Sequence, residues 1–142
     1  MMPADNFIRD FEACTLPESC FRHRDHIRLA WLYLREQPLA EALMRFSDGL
    51  KRYAASLGKA GLYHETITVA YLALVNERMA RQNRPGEWAE FADANPDLFS
   101  HPAALRSYYR DATLQSDLAK TVFVLPDRLL ASTDGEARAD QS

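Results

Sequence analysis

Leu62-Tyr63-His64-Glu65-Thr66-Ile67-Thr68-Val69-Ala70-Tyr71-Leu72-Ala73-Leu74-Val75 is the stretch whose reading decides the fold. Four polar groups, His64, Glu65, Thr66 and Thr68, open it, and a nearly unbroken apolar run over 67–75 continues it. Glu77, Arg78 and Arg81 follow, so a helix over 62–82 is apolar nearly all round in its first half and charged in its second. A helix that is apolar on every side is buried, which places the first half of this one at the centre of the molecule.

Working outward, two amphipathic helices precede it. Over 25–35, Ile27, Ala30, Trp31 and Leu34 keep the i, i+3, i+4, i+7 spacing, and Leu29 and Leu32 widen the stripe. Gln37-Pro38 ends that helix, because the residue before proline avoids helical angles. The second runs over 39–57, with Leu39, Ala42, Phe46, Leu50, Tyr53 and Leu57 on one side. Gly49 weakens it by roughly 1 kcal/mol relative to alanine, and Gly58 and Gly61 bracket the turn into the central helix.

Shorter helices are expected around Phe7, Ile8 and Phe11, and over 87–93, where Trp88 and Phe91 precede the break at Asn95-Pro96. Two more are expected over 102–110, with Leu105 and Tyr108 or Tyr109 inward, and over 116–125, with Ser116 as N-cap and Leu118, Ala119, Val122 and Phe123 inward. Asn83-Arg84-Pro85-Gly86 reads as a turn. Residues 129–142 read as a polar, flexible tail. The expected class is all-α: a compact bundle of about five to six helices in one domain over 1–128. Short turns make the first and third long helices parallel, with the second antiparallel between them.

A chain of 142 residues is the size of one domain with a real core. Its net charge of -3 and pI near 5.8 provide no basic footprint for nucleic acid. The longest apolar run falls far short of the roughly 20 residues that cross a bilayer. The opening Met1-Met2-Pro3-Ala4-Asp5 lacks the basic and apolar segments of a secretion signal. A cytoplasmic protein is the expectation, without nucleic-acid or membrane partners, and a homo-oligomer is compatible with the composition. Cys14 and Cys20 fit neither a C-x-x-C redox pair nor a zinc knuckle, and read as reduced thiols.

The candidate site follows from helix direction. Parallel first and third long helices bring His26 and His64 to the same end of the bundle. His23 lies three residues before His26, a spacing that shares a helix face with Cβ atoms about 5 to 6 Å apart. His101 joins them if the segment over 87–99 runs back along the bundle. His23, His26, His64, Glu65 and His101 together are a donor set that Zn, Fe, Ni or Mn accepts. Two helix N-termini would favour neutral imidazoles and an ionised Glu65. With Arg22, Arg24 and Arg28 nearby they would also favour a small anionic substrate. H-E-x-x-H fails because position 68 is threonine, and there is neither a G-x-S-x-G nor a Gly-rich phosphate loop.

Three motifs, Phe21-x-His23-x-x-His26, Tyr63-His64-Glu65-Thr66 and Phe123-x-x-Pro126-Asp127, together with a Tyr-Tyr segment, give the chain a resemblance. Over about 21–126 it resembles a group of small bacterial all-α proteins of uncharacterised function. The resemblance implies that the motifs form one signature, and it brings no reaction or cofactor with it.

The leading expectation is a small helical metalloprotein, an enzyme acting on a small anionic molecule. His64 and Glu65 would be catalytic, Arg28, Tyr63 and Tyr71 would bind substrate, and the histidines with Glu65 would hold the metal. One alternative is a metal-free pocket enzyme with His64 as general base. The other is a non-catalytic small-molecule-binding or interaction module. Each site residue also has a structural reading: His64, Glu65 and Thr66 as helix capping, and Tyr63 and Tyr71 as core aromatics.

Overall fold

The computed structural model describes residues 2–82 and 86–128, and over these the protein is all-α. Its α-helices are α1 (Ala4–Glu12), α2 (His23–Glu36), α3 (Leu39–Ser56), α4 (Glu65–Gln82), α5 (Trp88–Ala94), α6 (Asp111–Leu114) and α7 (Asp117–Thr121). Short 3₁₀ turns connect them at Glu18–Cys20, Ala60–Leu62, Pro96–Phe99 and Ala103–Ser107. The turn expected at Asn83-Arg84-Pro85 and the tail over 129–142 lie outside the described residues. No described helix is long and apolar enough to cross a membrane.

The three long helices form the frame, with α2, α3 and α4 packing pairwise on one another. Leu72 and Val75 are fully buried and Tyr71 and Leu74 nearly so, which makes the first half of α4 the centre of the core. Gln37 is extended at φ -140 and ψ 151, as its place before proline requires, and α3 restarts at Leu39. Gly58, at φ 72, closes α3: its N–H reaches Ala55 O at 3.0 Å, and Lys59 N reaches Ala54 O at 2.8 Å. These two bonds make a Schellman cap, whose left-handed position favours glycine.

Helix α1 lies on α3. A Cβ at Gly49 would stand 2.7 Å from the Phe11 ring, so the glycine that weakens α3 locally is what lets Phe11 bury against it. A polar knot ties the same elements: Glu12 Oε2 accepts from Tyr33 Oη at 2.6 Å and from Arg45 Nε at 2.7 Å. Arg45 also reaches Glu36 at 2.8 Å and covers the Tyr33 ring at 4.1 Å.

Helices outnumber the expected five to six because the last third of the chain is cut finer than its composition suggests. Residues 103–107 form a 3₁₀ turn, α6 is a single turn, and the helix expected over 116–125 stops at Thr121. Ser116 does cap it, accepting from Ala119 N at 3.1 Å. Beyond it Val122 is extended, at φ -132 and ψ 155. β-Branched residues resist helix, and Thr66 offers the segment another set of bonds: its Oγ1 donates to Val122 O at 2.8 Å and accepts from Val124 N at 3.0 Å. Leu118, Val122 and Phe123 therefore do not point inward as expected: they are exposed, and of the four named positions only Ala119 is buried.

Candidate functional site

A cavity of about 400 Å³ opens where α2 and α4 begin and α3 ends. That meeting of two helix starts with one helix end is the parallel and antiparallel arrangement expected for these helices. Phe46, Leu50 and Tyr53 of α3 and Ile67 of α4 supply apolar wall, and Phe21 closes one side. All four histidines line the cavity, along with Tyr63, Thr68 and Tyr71.

His101 reaches it because the chain after α5 does turn back. Arg78 of α4 clamps that return, donating to Asn95 at 2.8 Å and to Asp97 Oδ2 at 2.8 Å. Leu98 is fully buried, and the 3₁₀ turn that carries it packs on α2. The rings of His23 and His101 stand 5.1 Å apart by centroid, and His23 and Tyr71 5.0 Å.

Shared position is not shared availability, and the ring nitrogens separate the four. His64 Nδ1 accepts from Ile67 N at 3.1 Å, so its proton is on Nε2, which lies 2.7 Å from Leu114 O. Both nitrogens are hydrogen-bonded, and His64 caps α4 and ties it to Leu114 of α6, as the structural reading expects. His23 Nε2 donates to Leu98 O at 2.7 Å, and His101 Nδ1 pairs with Tyr71 Oη at 2.8 Å.

His26 differs. Its ring stacks on Phe21 with centroids 4.1 Å apart, and no described residue hydrogen-bonds to either of its nitrogens. Burial pushes its pKa down to about 4, with the neighbouring His23 and His101 adding to the effect. Burial likewise lowers His101 and His23, the bond to Leu98 opposing it at His23. The cavity thus disfavours the charged form of all three imidazoles.

Other expected site residues lie elsewhere. Glu65 is not part of the cavity wall: its Oε1 accepts from Tyr63 Oη at 2.7 Å. Tyr63 also pairs with Ser47 Oγ at 2.8 Å, and burial pushes its phenol up to about 12. Tyr63 lines the cavity with its hydroxyl engaged in this way. Arg28 is not part of the cavity wall either. It is buried with its guanidinium 5.1 Å from the Phe7 ring, and its Nε has no partner among the described residues. Two positions after His26 is about 200° around a helix, so the same periodicity that brings His23 and His26 together turns Arg28 away.

Among the described residues no group of three or more His, Cys, Asp or Glu side chains is placed to hold a metal ion. The expected donors His23, His26, His64, Glu65 and His101 are therefore not assembled as a ligand set. Three of these imidazoles have a nitrogen bonded to a backbone carbonyl or to Tyr71, and Glu65 faces Tyr63. Cys14 and Cys20 are free thiols, each half-buried.

The third sequence motif is a strap. Tyr109 Oη donates to Val124 O at 2.7 Å, and Asp127 accepts from Arg110 N at 3.1 Å and from the Thr113 hydroxyl. With Thr66 holding the other end, 122–127 is bound to the start of α4, alongside the His64 cap. The apolar wall residues Phe46, Leu50 and Tyr53 are legible in the sequence only as core. The heptad stripe shows that they face inward but not that they face a void.

The chain matches no family model, no curated protein and no solved structure.

Proposed function

We propose that this chain is a non-catalytic small-molecule-binding module, its ligand lying in the cavity with one polar atom on His26. The observation that carries the reading is the His26 imidazole, which has no protein hydrogen-bond partner and faces a cavity whose wall is mainly apolar. His26 is half-buried and its ring nitrogens have no protein partner, so a ligand that displaces water from the cavity can pair with them. The cavity volume falls within the roughly 300–1,000 Å³ of ligand pockets.

Binding is favoured over base catalysis by the basicity of the groups on offer. An effective general base has a pKa near the working pH, whereas His26 sits at about 4. His64 cannot take its place without giving up the cap of α4. The metal reading ranks behind the binding one because no three donors among the described residues are placed around one point.

The test is an NMR screen of the full chain with neutral one- and two-ring fragments, indole and 2-naphthol included. Saturable shifts at His26 and its neighbours are expected. They should disappear in Leu50→Trp and Ala54→Phe, which fill the cavity from α3, provided circular dichroism shows the helices intact. No fragment perturbing cavity resonances at millimolar concentration, or binding that survives both fillings unchanged, refutes the reading.

A further inference from the structure

The charges of the cavity wall point to the class of ligand, granted the binding reading above. Among the described residues Glu18 and Lys59 are the only Asp, Glu, Lys or Arg side chains that line it, and they pair with each other. A charged ligand would have to break that pair to find a counter-ion. The arginines of α2 are engaged elsewhere: Arg24 lies 4.8 Å from the Phe99 ring and Arg28 lies against Phe7. At both helix starts a side chain already sits on the first turn. Asp25 Oδ2 accepts from Arg22 N at 2.8 Å, and His64 Nδ1 accepts from Ile67 N.

Two side chains in the wall report what the site does to charge. Burial lowers His26, so the surroundings resist a positive charge. Burial raises Tyr71, so they resist a negative one as well. Phe21, Phe46, Leu50, Tyr53, Leu57 and Ile67 surround these groups with apolar surface. A neutral imidazole has one N–H and one lone pair, and a hydroxyl can donate to the lone pair.

We infer that the cavity takes neutral, largely apolar molecules carrying a hydroxyl, the class of phenols and cyclic alcohols, and rejects carboxylates and amines of the same shape. The hydroxyl donates to the unprotonated nitrogen of His26. The ring occupies the space between Phe21, Leu50 and Ile67. A carboxylate or ammonium would enter with no counter-ion beyond the Glu18–Lys59 pair, and burying an unpaired ion costs far more than one hydrogen bond returns.

Four probes of one shape test this: p-cresol, toluene, 4-methylbenzoate and 4-methylbenzylamine, titrated into the full chain at pH 7 with NMR shifts of the cavity residues as readout. p-Cresol should bind several-fold tighter than toluene, the gain expected of one hydrogen bond, and both ions more weakly than toluene. His26→Phe should bring p-cresol and toluene within about twofold of each other, and His26→Gln, which keeps an acceptor, should restore part of the preference. The wild-type ranking stands as a test even if a variant fails to fold. Either ion binding tighter than p-cresol, or toluene equalling it, overturns the ligand class while leaving the binding module intact. Failure of all four probes together with indole and 2-naphthol overturns both.

Discussion

Lowering the pH from 7 to 5 should destabilise this fold through His26. Burial pushes its pKa down to about 4 in the folded protein, against 6.5 for an ordinary imidazole. Between those values the unfolded chain binds more protons than the folded one, so stability rises with pH. The contribution is complete above about 6.5 and is lost as the pH falls toward 4. With these two values the loss from pH 7 to pH 5 is about 2 kcal/mol. At a urea slope of about 2 kcal/mol per molar, the unfolding midpoint should fall by about 1 M. His23 and His101 are lowered too and act in the same direction. Glu12 and Asp97 are lowered carboxylates, whose stabilisation is lost only below their ordinary range near 4. The share belonging to His26 is isolated by His26→Phe, which keeps a ring against Phe21. Urea unfolding at pH 7 and pH 5 should show the wild type losing about 1 M more than the variant. An equal loss in both, or an NMR titration placing His26 at 6 or above, would refute the reasoning.

Three further outcomes are expected. His64→Ala removes the cap of α4 and leaves Leu114 O unpaired, which should cost about 1–3 kcal/mol in chemical unfolding. It should leave p-cresol affinity within about twofold if the cavity keeps its shape; complete loss of binding in a folded variant would restore His64 to the site. Thr66→Val deletes both bonds to the strap at Val122 and Val124, and should cost about 1–3 kcal/mol. Hydrogen exchange should speed up over 122–127 well before the core, and unchanged exchange there would mean that the strap is held by other contacts. Zinc, iron(II), nickel and manganese added to tag-free protein should leave the melting temperature of wild type and of the His26→Ala, His64→Ala double variant equally unmoved. Stoichiometric uptake lost in the double variant would reinstate the metal expectation.

The long helices were legible because their signals are local. The stripe over 25–35, the proline at position 38 and the glycine at position 58 act within a turn or two of where they stand, and α2, α3 and α4 fall where those signals put them. Even the convergence of the histidines could be read, since short connections between long helices leave few directions to choose from. Failures began where a residue's partner is distant in sequence. Val122 and Phe123 keep helical spacing with Ala119, yet Thr66, more than fifty residues earlier, draws the segment into an extended strap. Arg28 is a different case: counting turns from His26 would have excluded it from the site, so its misplacement was a lapse of periodicity rather than of long-range information.

Tyr63-His64-Glu65-Thr66 draws the line between the two kinds of knowledge. Sequence by itself determined that the protein is all-α, that this stretch starts the central helix, and that imidazoles gather at its end, because periodicity and chain breaks are properties of neighbouring residues. Only the tertiary structure decided how each imidazole is bonded. That depends on single carbonyls, Leu114 O for His64 at a separation of 50 residues and Leu98 O for His23 at 75. His26 meets no such partner and faces the cavity. A hydrogen bond is decided within a few tenths of an ångström by atoms that packing brings together, and no local pattern encodes that distance.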